Sequence, residues 1–373
     1  MKVIMTGGGT GGHIYPAIAI ADKIKDEHPD SEILFVGTEK GLEKTLAPQN
    51  GYPLRVISAT GLDRKHPLRN VKTVLDLLSG IKEAKALIRE FAPDIVIGTG
   101  GYVCAPVVKA AAGLGVRVFI HEQNVSPGLT NRLLERYAEK VFVGFEEAKL
   151  NFKKRDKVIV SGNPVRKVFS GLDKKTAREI LGMADDSFAA LAFGGSRGAA
   201  KINAVMSEVA VTLSGIDKTE LFFVTGEIHY DKILDGFNER DITFGGNIHI
   251  LPYLKDMHLY LSACDLVISR AGALTVTEIM VCGKPAILIP SPNVTGNHQY
   301  YNAKALADRG CAEIIEEKDL NPDSLMSMIL KMKNEESYLA ESVKTAKDST
   351  AAGAVEIIYA NLGFTKDKEE EEA

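Results

Sequence analysis

Short runs of apolar and β-branched residues alternate along the chain with longer segments in which apolar residues recur at helical spacing. In the first half of the chain the predicted strands are 2–6, 33–36, 95–98, 116–121, 140–143 and 158–160. The predicted helix over 71–90 carries its apolar residues at Val71, Val74, Leu75, Leu78, Ile81 and Leu87. Alternation of this kind is typical of a parallel, doubly wound α/β sheet.

The pattern restarts after Gly162-Asn163-Pro164, where the second series of predicted strands is 188–193, 220–225, 248–251, 266–269 and 286–289. In each half the first strand runs into a cluster of glycines, at 7–9 and at 194–195. Ligands of open α/β sheets bind beyond the carboxyl ends of the strands. We therefore predict two Rossmann-like domains whose glycine loops face an interdomain cleft.

The length of 373 residues suits two domains of average size, and 45% hydrophobic with 25% charged residues is ordinary for a globular protein. We place the first domain at 1–163 and the second at 164–344. A helix near 345–363 is expected to pack back on the first domain, and 364–373 is an acidic tail. The four cysteines, without C-x-x-C spacing, are expected to be reduced: Cys104, Cys264, Cys282 and Cys311.

Net charge and apolar run length bear on where the protein acts. The longest apolar runs, such as 189–193, are far shorter than the about 20 residues of a membrane span, and no leader is evident, so we expect a cytoplasmic protein. Residues 1–163 hold 23 basic and 18 acidic residues, against 22 and 31 in the remainder. The basic half suggests that it faces something anionic.

The first glycine loop, residues 7–12, follows a strand and precedes a helical run at 17–24. Glycines allow close approach to a phosphate, and the helix start offers free N–H groups. A dinucleotide site would need an acidic residue at the end of the second strand, where Glu39 comes too late. The next residue, His13, is a candidate base because the helix dipole favours the neutral imidazole; a capping or packing role is the alternative.

A second glycine loop at 98–106 follows another strand of the same half. Two such loops on neighbouring strands could hold the two phosphates of a diphosphate, although a pair of tight turns is the alternative. The polar run at 121–124 also ends a strand and is expected to line the cleft.

The second half repeats this arrangement at 194–199 and at 269–278. Glu278, on the first turns of a helix, could bind both hydroxyls of a ribose; an ordinary exposed helix glutamate is the alternative. No D-x-D pair occurs in the sequence. We therefore expect helix dipoles and N–H donors, rather than a metal ion, to stabilise a leaving diphosphate.

Seven motifs in register carry a resemblance over nearly the whole chain. They are GGGTGGHIYP at 7–16, GTGGYVCAP at 98–106, HEQN at 121–124, GNPVR at 162–166, GGSRGA at 194–199, SRAGALTVTE at 269–278 and NHQYYNA at 297–303. With them the chain resembles the MurG family, the UDP-N-acetylglucosamine transferases of peptidoglycan synthesis, which have the GT-B fold and form part of glycosyltransferase family 28. One departure is Arg197, where the family frequently has glutamine.

The resemblance implies an inverting transfer of GlcNAc from UDP-GlcNAc to the C4 hydroxyl of undecaprenyl-diphospho-MurNAc-pentapeptide (lipid I), giving lipid II and UDP. It implies a peripheral protein on the cytoplasmic face of the cell membrane, with roles in cell-wall growth, cell shape and division. Other cell-wall synthesis proteins are expected partners; nucleic acid and cofactors are not. His13 is the first candidate for the base, with His121 and Glu122 as alternatives.

The resemblance also implies a donor site and an acceptor site. The donor residues are Thr10, Gly11, Gly12, Asn124, Arg166, Ser196, Leu254, Ala273, Leu274, Thr275, Glu278 and Gln299. Among these, Leu254 would contact uracil, Glu278 the ribose, and Gln299 and Asn124 the sugar. The residues implied at the diphosphate of the acceptor are Gly9, His13, Gly100, Gly101 and Tyr102.

A membrane-binding patch is predicted in the segment 61–90. Its apolar members are Val74, Leu75, Leu78 and Ile81, and its basic members include Arg64, Lys65, Arg69, Lys72 and Lys82. Exposed leucines within a basic rim favour binding at an anionic lipid surface. A helix that simply faces the core is the alternative.

Four other functions are weighed against this transfer. A transferase for a different nucleotide sugar or glycolipid and a UDP-GlcNAc 2-epimerase would use the same architecture. An NAD oxidoreductase is disfavoured by the missing second-strand acid, and a membrane scaffold is disfavoured by the polar clusters at both sets of strand ends.

Overall fold

The computed structural model describes residues 1–62, 70–169, 171–334 and 353–364. These residues divide into two compact units. The first contains residues of Met1–Val165 and Ala351–Ala373, and the second contains residues of Arg166–Thr350. Each unit is built on its own parallel sheet.

The first unit has a parallel sheet of seven strands within the described residues, in the order β3-β2-β1-β4-β5-β6-β7. Its strands are β1 Lys2–Gly7, β2 Glu32–Gly37, β3 Leu54–Val56, β4 Ile95–Gly100, β5 Arg117–Glu122, β6 Lys140–Val143 and β7 Val158–Val160. The sequence predicted all of these except β3, a short edge strand whose residues are largely exposed and show no apolar run.

Helices cover both faces of this sheet. They are α1 Gly11–Glu27, α2 Glu43–Gln49, α3 Asn70–Phe91, α4 Cys104–Gly113 and α5 Leu129–Leu134, with 3₁₀ turns at Glu135–Tyr137, Glu146–Asn151 and Arg155–Lys157. One apolar core lies between the sheet and α3 with α4, and another lies under α1. Helix α1 begins six residues before the predicted helical run at 17, because Gly11 and Gly12 are themselves helical.

The second unit has six parallel strands among the described residues, in the order β10-β9-β8-β11-β12-β13. The strands are β8 Phe188–Phe193, β9 Thr219–Val224, β10 Ile248–Leu251, β11 Leu266–Ser269, β12 Ala286–Leu288 and β13 Ala312–Ile314. Its helices are α6 Lys174–Leu181, α7 Ala200–Ser214, α8 Glu227–Asn238, α9 Met257–Ala263, α10 Ala273–Val281, α11 His298–Ala307 and α12 Pro322–Asn334, with 3₁₀ turns at Lys167–Phe169 and Thr295–Asn297. Both sheets therefore have the doubly wound order that the fold prediction required.

The chain returns to the first unit in helix α13, Ala354–Ala360. Ile358 is fully buried in the core under α1, and the Tyr359 hydroxyl lies 2.7 Å from Nε2 of His28. The earlier part of the helix predicted near 345–363, and all but the first residue of the tail at 364–373, lie outside the described residues.

The cysteines and the lengths of the helices can be compared with the sequence predictions. All four cysteines are free thiols, and Cys104, Cys264 and Cys311 are buried. Over the described ranges, no helix combines the length and apolar character that a bilayer span needs.

Candidate functional site

Three loops of the first unit start from one edge of its sheet. Strands β1, β4 and β5 are parallel neighbours, and Gly7 at the end of β1 pairs with Gly100 at the end of β4. The loop into α1, the loop into α4 and the polar run at 121–124 therefore meet at the carboxyl edge, as expected for adjacent parallel strands.

The first two of these loops pack backbone against backbone. The Gly8 N–H donates to the carbonyl oxygen of Gly100 at 3.3 Å. A Cβ atom on Gly101, whose φ is +86°, would lie 2.4 Å from the Gly8 carbonyl oxygen. A Cβ on Gly100 would lie 2.7 Å from Nδ1 of His13. Glycine is needed at both positions, because any side chain would push the loops apart.

A buried carboxylate that sequence reasoning missed holds the first loop from below. Glu43 is 1% exposed, and its Oε2 accepts the Gly9 N–H at 2.9 Å. Its Oε1 accepts both the N–H and the hydroxyl of Thr38 at 2.8 Å. The only signal in the sequence is an acidic residue after the turn that follows β2, which is indistinguishable from a surface glutamate.

The contact with Glu43 corrects the role predicted for Gly9. Its N–H is already used inside the protein and is not available to a diphosphate. The N–H groups of Thr10, Gly11 and Gly12, at the start of α1, have no acceptor among the described residues. The anion-binding capacity of this loop therefore begins at Thr10.

Tyr102, from the second glycine motif, lies beside this loop. It is half-buried, and its hydroxyl lies 3.5 Å from the hydroxyl of Thr38. A Cβ on Gly9 would lie 3.6 Å from its ring. The ring therefore forms a wall next to the N–H groups that remain free.

His13 and the polar run at the end of β5 are brought together. Nδ1 of His13 lies 3.0 Å from Oε1 of Gln123, and Nε2 of Gln123 lies 2.9 Å from Nδ1 of His121. His121 is fully buried, and burial lowers its pKa to about 4. A neutral, enclosed imidazole cannot reach a substrate hydroxyl, so the geometry favours His13, which is partly exposed, over His121 as the base.

Glu122, an alternative candidate for the base in the sequence analysis, has its carboxylate engaged within the protein. Its carboxylate is 1% exposed and accepts four hydrogen bonds. The donors are the N–H and the side-chain amide of Asn124, the N–H of Gly128 and the side-chain amide of Asn131. Both oxygens are occupied, so the structure disfavours Glu122 as a base and makes it the organiser of the loop that carries Asn124.

The second unit presents an equivalent edge. The last residues of β8 and β11, Phe193 and Ser269, are paired. In the loop after β8, Gly198 has a φ of +72°, and a Cβ there would lie 2.0 Å from the carbonyl oxygen of Thr225. Ser196, at the tip of this loop, is exposed together with Gly195 and Arg197, so its hydroxyl is accessible to a ligand.

The loop after β11 leads into α10 through Gly272. The Val276 N–H closes the first turn on the Gly272 carbonyl oxygen at 2.9 Å. The N–H groups of Ala273, Leu274 and Thr275, at the helix start, have no acceptor within the part of the chain that the structure describes. Arg270, whose role sequence reasoning missed, fixes this loop by donating to the carbonyl oxygens of Ile289 and Pro290 at 3.1 and 3.2 Å.

Glu278 lies on the second turn of α10 and is partly buried. Burial raises the pKa of its carboxyl to about 7, and the nearby Arg166 guanidinium opposes this shift. Arg166 itself stacks over the Phe169 ring, with 5.0 Å between the guanidinium carbon and the ring centroid. The surroundings of Glu278 are therefore unlike those of an ordinary surface glutamate.

Two further donor candidates lie elsewhere in the second unit. Leu254 is 8% exposed and follows β10. Gln299, on α11, accepts the Ser291 N–H on its Oε1 at 2.9 Å. Its carbonyl oxygen therefore holds one hydrogen bond within the protein, and its amide N–H groups have no acceptor among the described residues.

Helix α3 exposes an apolar strip. Val71, Val74, Leu75 and Leu78 are each more than half exposed, whereas Gly80, Ala84 and Ile88 face the core. Lys72 and Lys82 are exposed beside the strip. Ile81, which was predicted to belong to the patch, is only partly exposed and so contributes less apolar surface than predicted. Arg64, Lys65 and Arg69 lie outside the described residues.

Two family descriptions match the chain. Residues 3–143 match the glycosyltransferase family 28 N-terminal domain, and residues 189–358 match the glycosyltransferase family 28 C-terminal domain. A curated relative from Alkaliphilus metalliredigens is 43% identical over 97% of this chain and 98% of its own length. It is named UDP-N-acetylglucosamine--N-acetylmuramyl-(pentapeptide) pyrophosphoryl-undecaprenol N-acetylglucosamine transferase.

Solved structures are similar over the same length. The crystal structure of Acinetobacter baumannii MurG has a TM-score of 0.75 and 28% identity, and the match covers 96% of this chain and 99% of that one. A UDP-GlcNAc 2-epimerase from Neisseria meningitidis, bound to UDP-GlcNAc, has a TM-score of 0.68 at 15% identity, covering 97% of this chain and 99% of that one. The second likeness shows a shared fold alone.

Proposed function

The chain belongs to glycosyltransferase family 28, and from this premise we propose that it transfers GlcNAc from UDP-GlcNAc to the C4 hydroxyl of lipid I, with release of lipid II and UDP. The observation that carries the proposal is the edge of the second unit. There the exposed Ser196 loop and the unpaired N–H groups of α10 start from adjacent strands. This is the chemistry that binds a diphosphate.

In this proposal Glu278 binds the ribose hydroxyls and Leu254 supplies apolar contact to the uracil. Gln299 donates to the sugar through its amide, since its carbonyl oxygen already accepts the Ser291 N–H. The N–H groups of Ala273, Leu274 and Thr275 stabilise the charge that develops on the leaving UDP. These N–H groups take the place of a metal ion, so this step needs none.

The first unit supplies the base and holds the acceptor. Inversion requires a single displacement, in which the C4 hydroxyl loses its proton as it attacks the anomeric carbon. His13 takes that proton, because its imidazole is partly exposed beside the free N–H groups of Thr10, Gly11 and Gly12. The resemblance implies these three residues at the donor; we propose instead that they contact the lipid-linked diphosphate together with Tyr102, because their N–H groups lie in the same loop as His13.

The direct test is incubation with radiolabelled UDP-GlcNAc and a lipid I analogue, in the presence and absence of EDTA. We expect labelled disaccharide-lipid and UDP in equal amounts, at an unchanged rate with EDTA. Formation of a UDP-linked epimer in the absence of acceptor would show that the protein is an epimerase and would contradict the proposed transfer. Loss of activity in EDTA that a divalent ion restores would contradict the metal-free step.

Donor binding is predicted to depend on pH through Glu278. The carboxylate that accepts ribose hydroxyls is lost as the pH falls through about 7. The dissociation constant of UDP-GlcNAc, measured by calorimetry without acceptor, should therefore rise on the order of tenfold between pH 8 and pH 6. Glu278→Gln should bind the donor more weakly with no such pH dependence. A wild-type constant that is flat over this range would remove Glu278 from the ribose site.

The α3 strip is the proposed contact with the membrane. Apolar side chains that are more than half exposed, next to Lys72 and Lys82, suit the interface of an anionic bilayer. Docking there places the protein at the cytoplasmic surface, where lipid I is available to it.

The double variant Leu75→Glu with Leu78→Glu tests this contact. Each change removes apolar area and adds a charge that anionic lipid repels, so binding to phosphatidylglycerol vesicles in a sedimentation assay should fall about tenfold or more. Ile228→Glu, at a still more exposed position on α8, is the control and should bind normally. Equal binding of the double variant and the wild type would make the strip irrelevant to the membrane.

A further inference from the structure

A chain of hydrogen bonds connects the candidate base to the interior of the first unit. Nδ1 of His13 lies 3.0 Å from Oε1 of Gln123, whose Nε2 lies 2.9 Å from Nδ1 of His121 and 2.8 Å from the carbonyl oxygen of Thr99. Nε2 of His121 lies 3.0 Å from the carbonyl oxygen of Gly162. Gln123 is 1% exposed, so water does not compete for these contacts.

The positions of the protons follow from the far end of this chain. The Gly162 carbonyl can only accept, so Nε2 of His121 carries a proton. The pKa of His121, lowered to about 4 by burial, leaves its ring neutral, and its Nδ1 is then an acceptor. Three acceptors, His121 Nδ1, the Thr99 carbonyl and, at 3.3 Å, the His121 carbonyl, therefore meet the same end of the Gln123 amide.

That end of the amide must be its NH₂ group. The flipped amide would place its oxygen against the carbonyl oxygen of Thr99, which is a repulsive contact with no proton between the atoms. Oε1 of Gln123 is thus turned to His13, and it can only accept. Nδ1 of His13 must donate, so the neutral His13 ring keeps its lone pair on Nε2, away from Gln123.

We infer that Gln123 is a positioning residue which, itself oriented by His121 and Thr99, holds His13 in the tautomer that leaves Nε2 free to accept a proton. This inference rests on the proposed function, in which His13 is the base. A glutamine can do this without changing the charge of the site, since an amide neither gains nor loses a proton near neutral pH. Of the titratable groups on the neighbouring loops, His121 faces Gln123 and Glu43 binds the Gly9 N–H.

The tautomer can be measured without any activity assay. In protein labelled with ¹⁵N-histidine, the His13 signals are identified by their absence in His13→Gln. We expect a protonated Nδ1 and an unprotonated Nε2 in the wild type, and a mixture or the opposite tautomer in Gln123→Met, which has similar volume but no acceptor. A wild-type ring protonated on Nε2, or a Gln123→Met spectrum unchanged from wild type, overturns the inference.

Kinetics of matched variants show what the tautomer does. Gln123→Met should lower kcat on the order of tenfold to a hundredfold with the UDP-GlcNAc dissociation constant unchanged. Gln123→Glu would set a carboxylate oxygen against two acceptors, the Thr99 carbonyl and Nδ1 of His121, so it does not substitute for the amide. A loss of kcat in Gln123→Met without a change of tautomer in the ¹⁵N spectra would reduce Gln123 to a structural residue and overturn the inference.

His13→Ala separates this inference from the proposed function. Near-normal turnover in that variant would remove His13 from the base role, and the proposed mechanism would fail. The ¹⁵N spectra would still decide whether Gln123 sets the tautomer of His13, because they do not depend on transfer.

Discussion

The close approach of two glycine backbones at the ends of β1 and β4 is the constraint on which the first unit's site depends. Parallel pairing of Gly7 with Gly100 brings the loops together, and the absence of side chains at Gly100 and Gly101 lets them touch. His13 can reach Gln123 only because nothing larger stands at Gly100. Glu43 then ties the Gly9 N–H to the protein, which restricts anion binding to the N–H groups at the start of α1.

The two sheets share a strand order but present different chemistry at their edges. In the first unit the edge is occupied by a buried polar network with one partly exposed imidazole. In the second, an exposed glycine–serine loop and the unpaired start of α10 lie beside a carboxyl of raised pKa. The proposed division of labour, with acid–base chemistry in one unit and nucleotide binding in the other, follows from this difference and not from the fold.

Sequence periodicity was sufficient for most strands of both sheets, because buried parallel strands are continuous apolar runs and glycine clusters mark where several of them end. It missed β3 and β13, which are three residues long, and it started α1 too late, since helical glycines carry no periodic signal. It placed His13 and Ser196 after glycines that follow strands and Glu278 on the first turns of a helix, and the structure has His13 on the first turn of α1, Ser196 in the loop after β8 and Glu278 on α10. Periodicity could not predict the structural roles of Glu43, Gln123 and Arg270, because each of these side chains contacts residues that are distant in the sequence.

The most direct test of the central claim, that the second unit's helix starts hold the nucleotide, is amide hydrogen–deuterium exchange with and without UDP. The account predicts slower exchange in 195–200 and 273–276, with exchange in 8–13 unchanged, because it assigns the diphosphate of UDP to the N–H groups of the second unit and the lipid-linked diphosphate to those of Thr10, Gly11 and Gly12. Slower exchange in 8–13 with 273–276 unaffected would contradict it and would move the nucleotide site to the first unit.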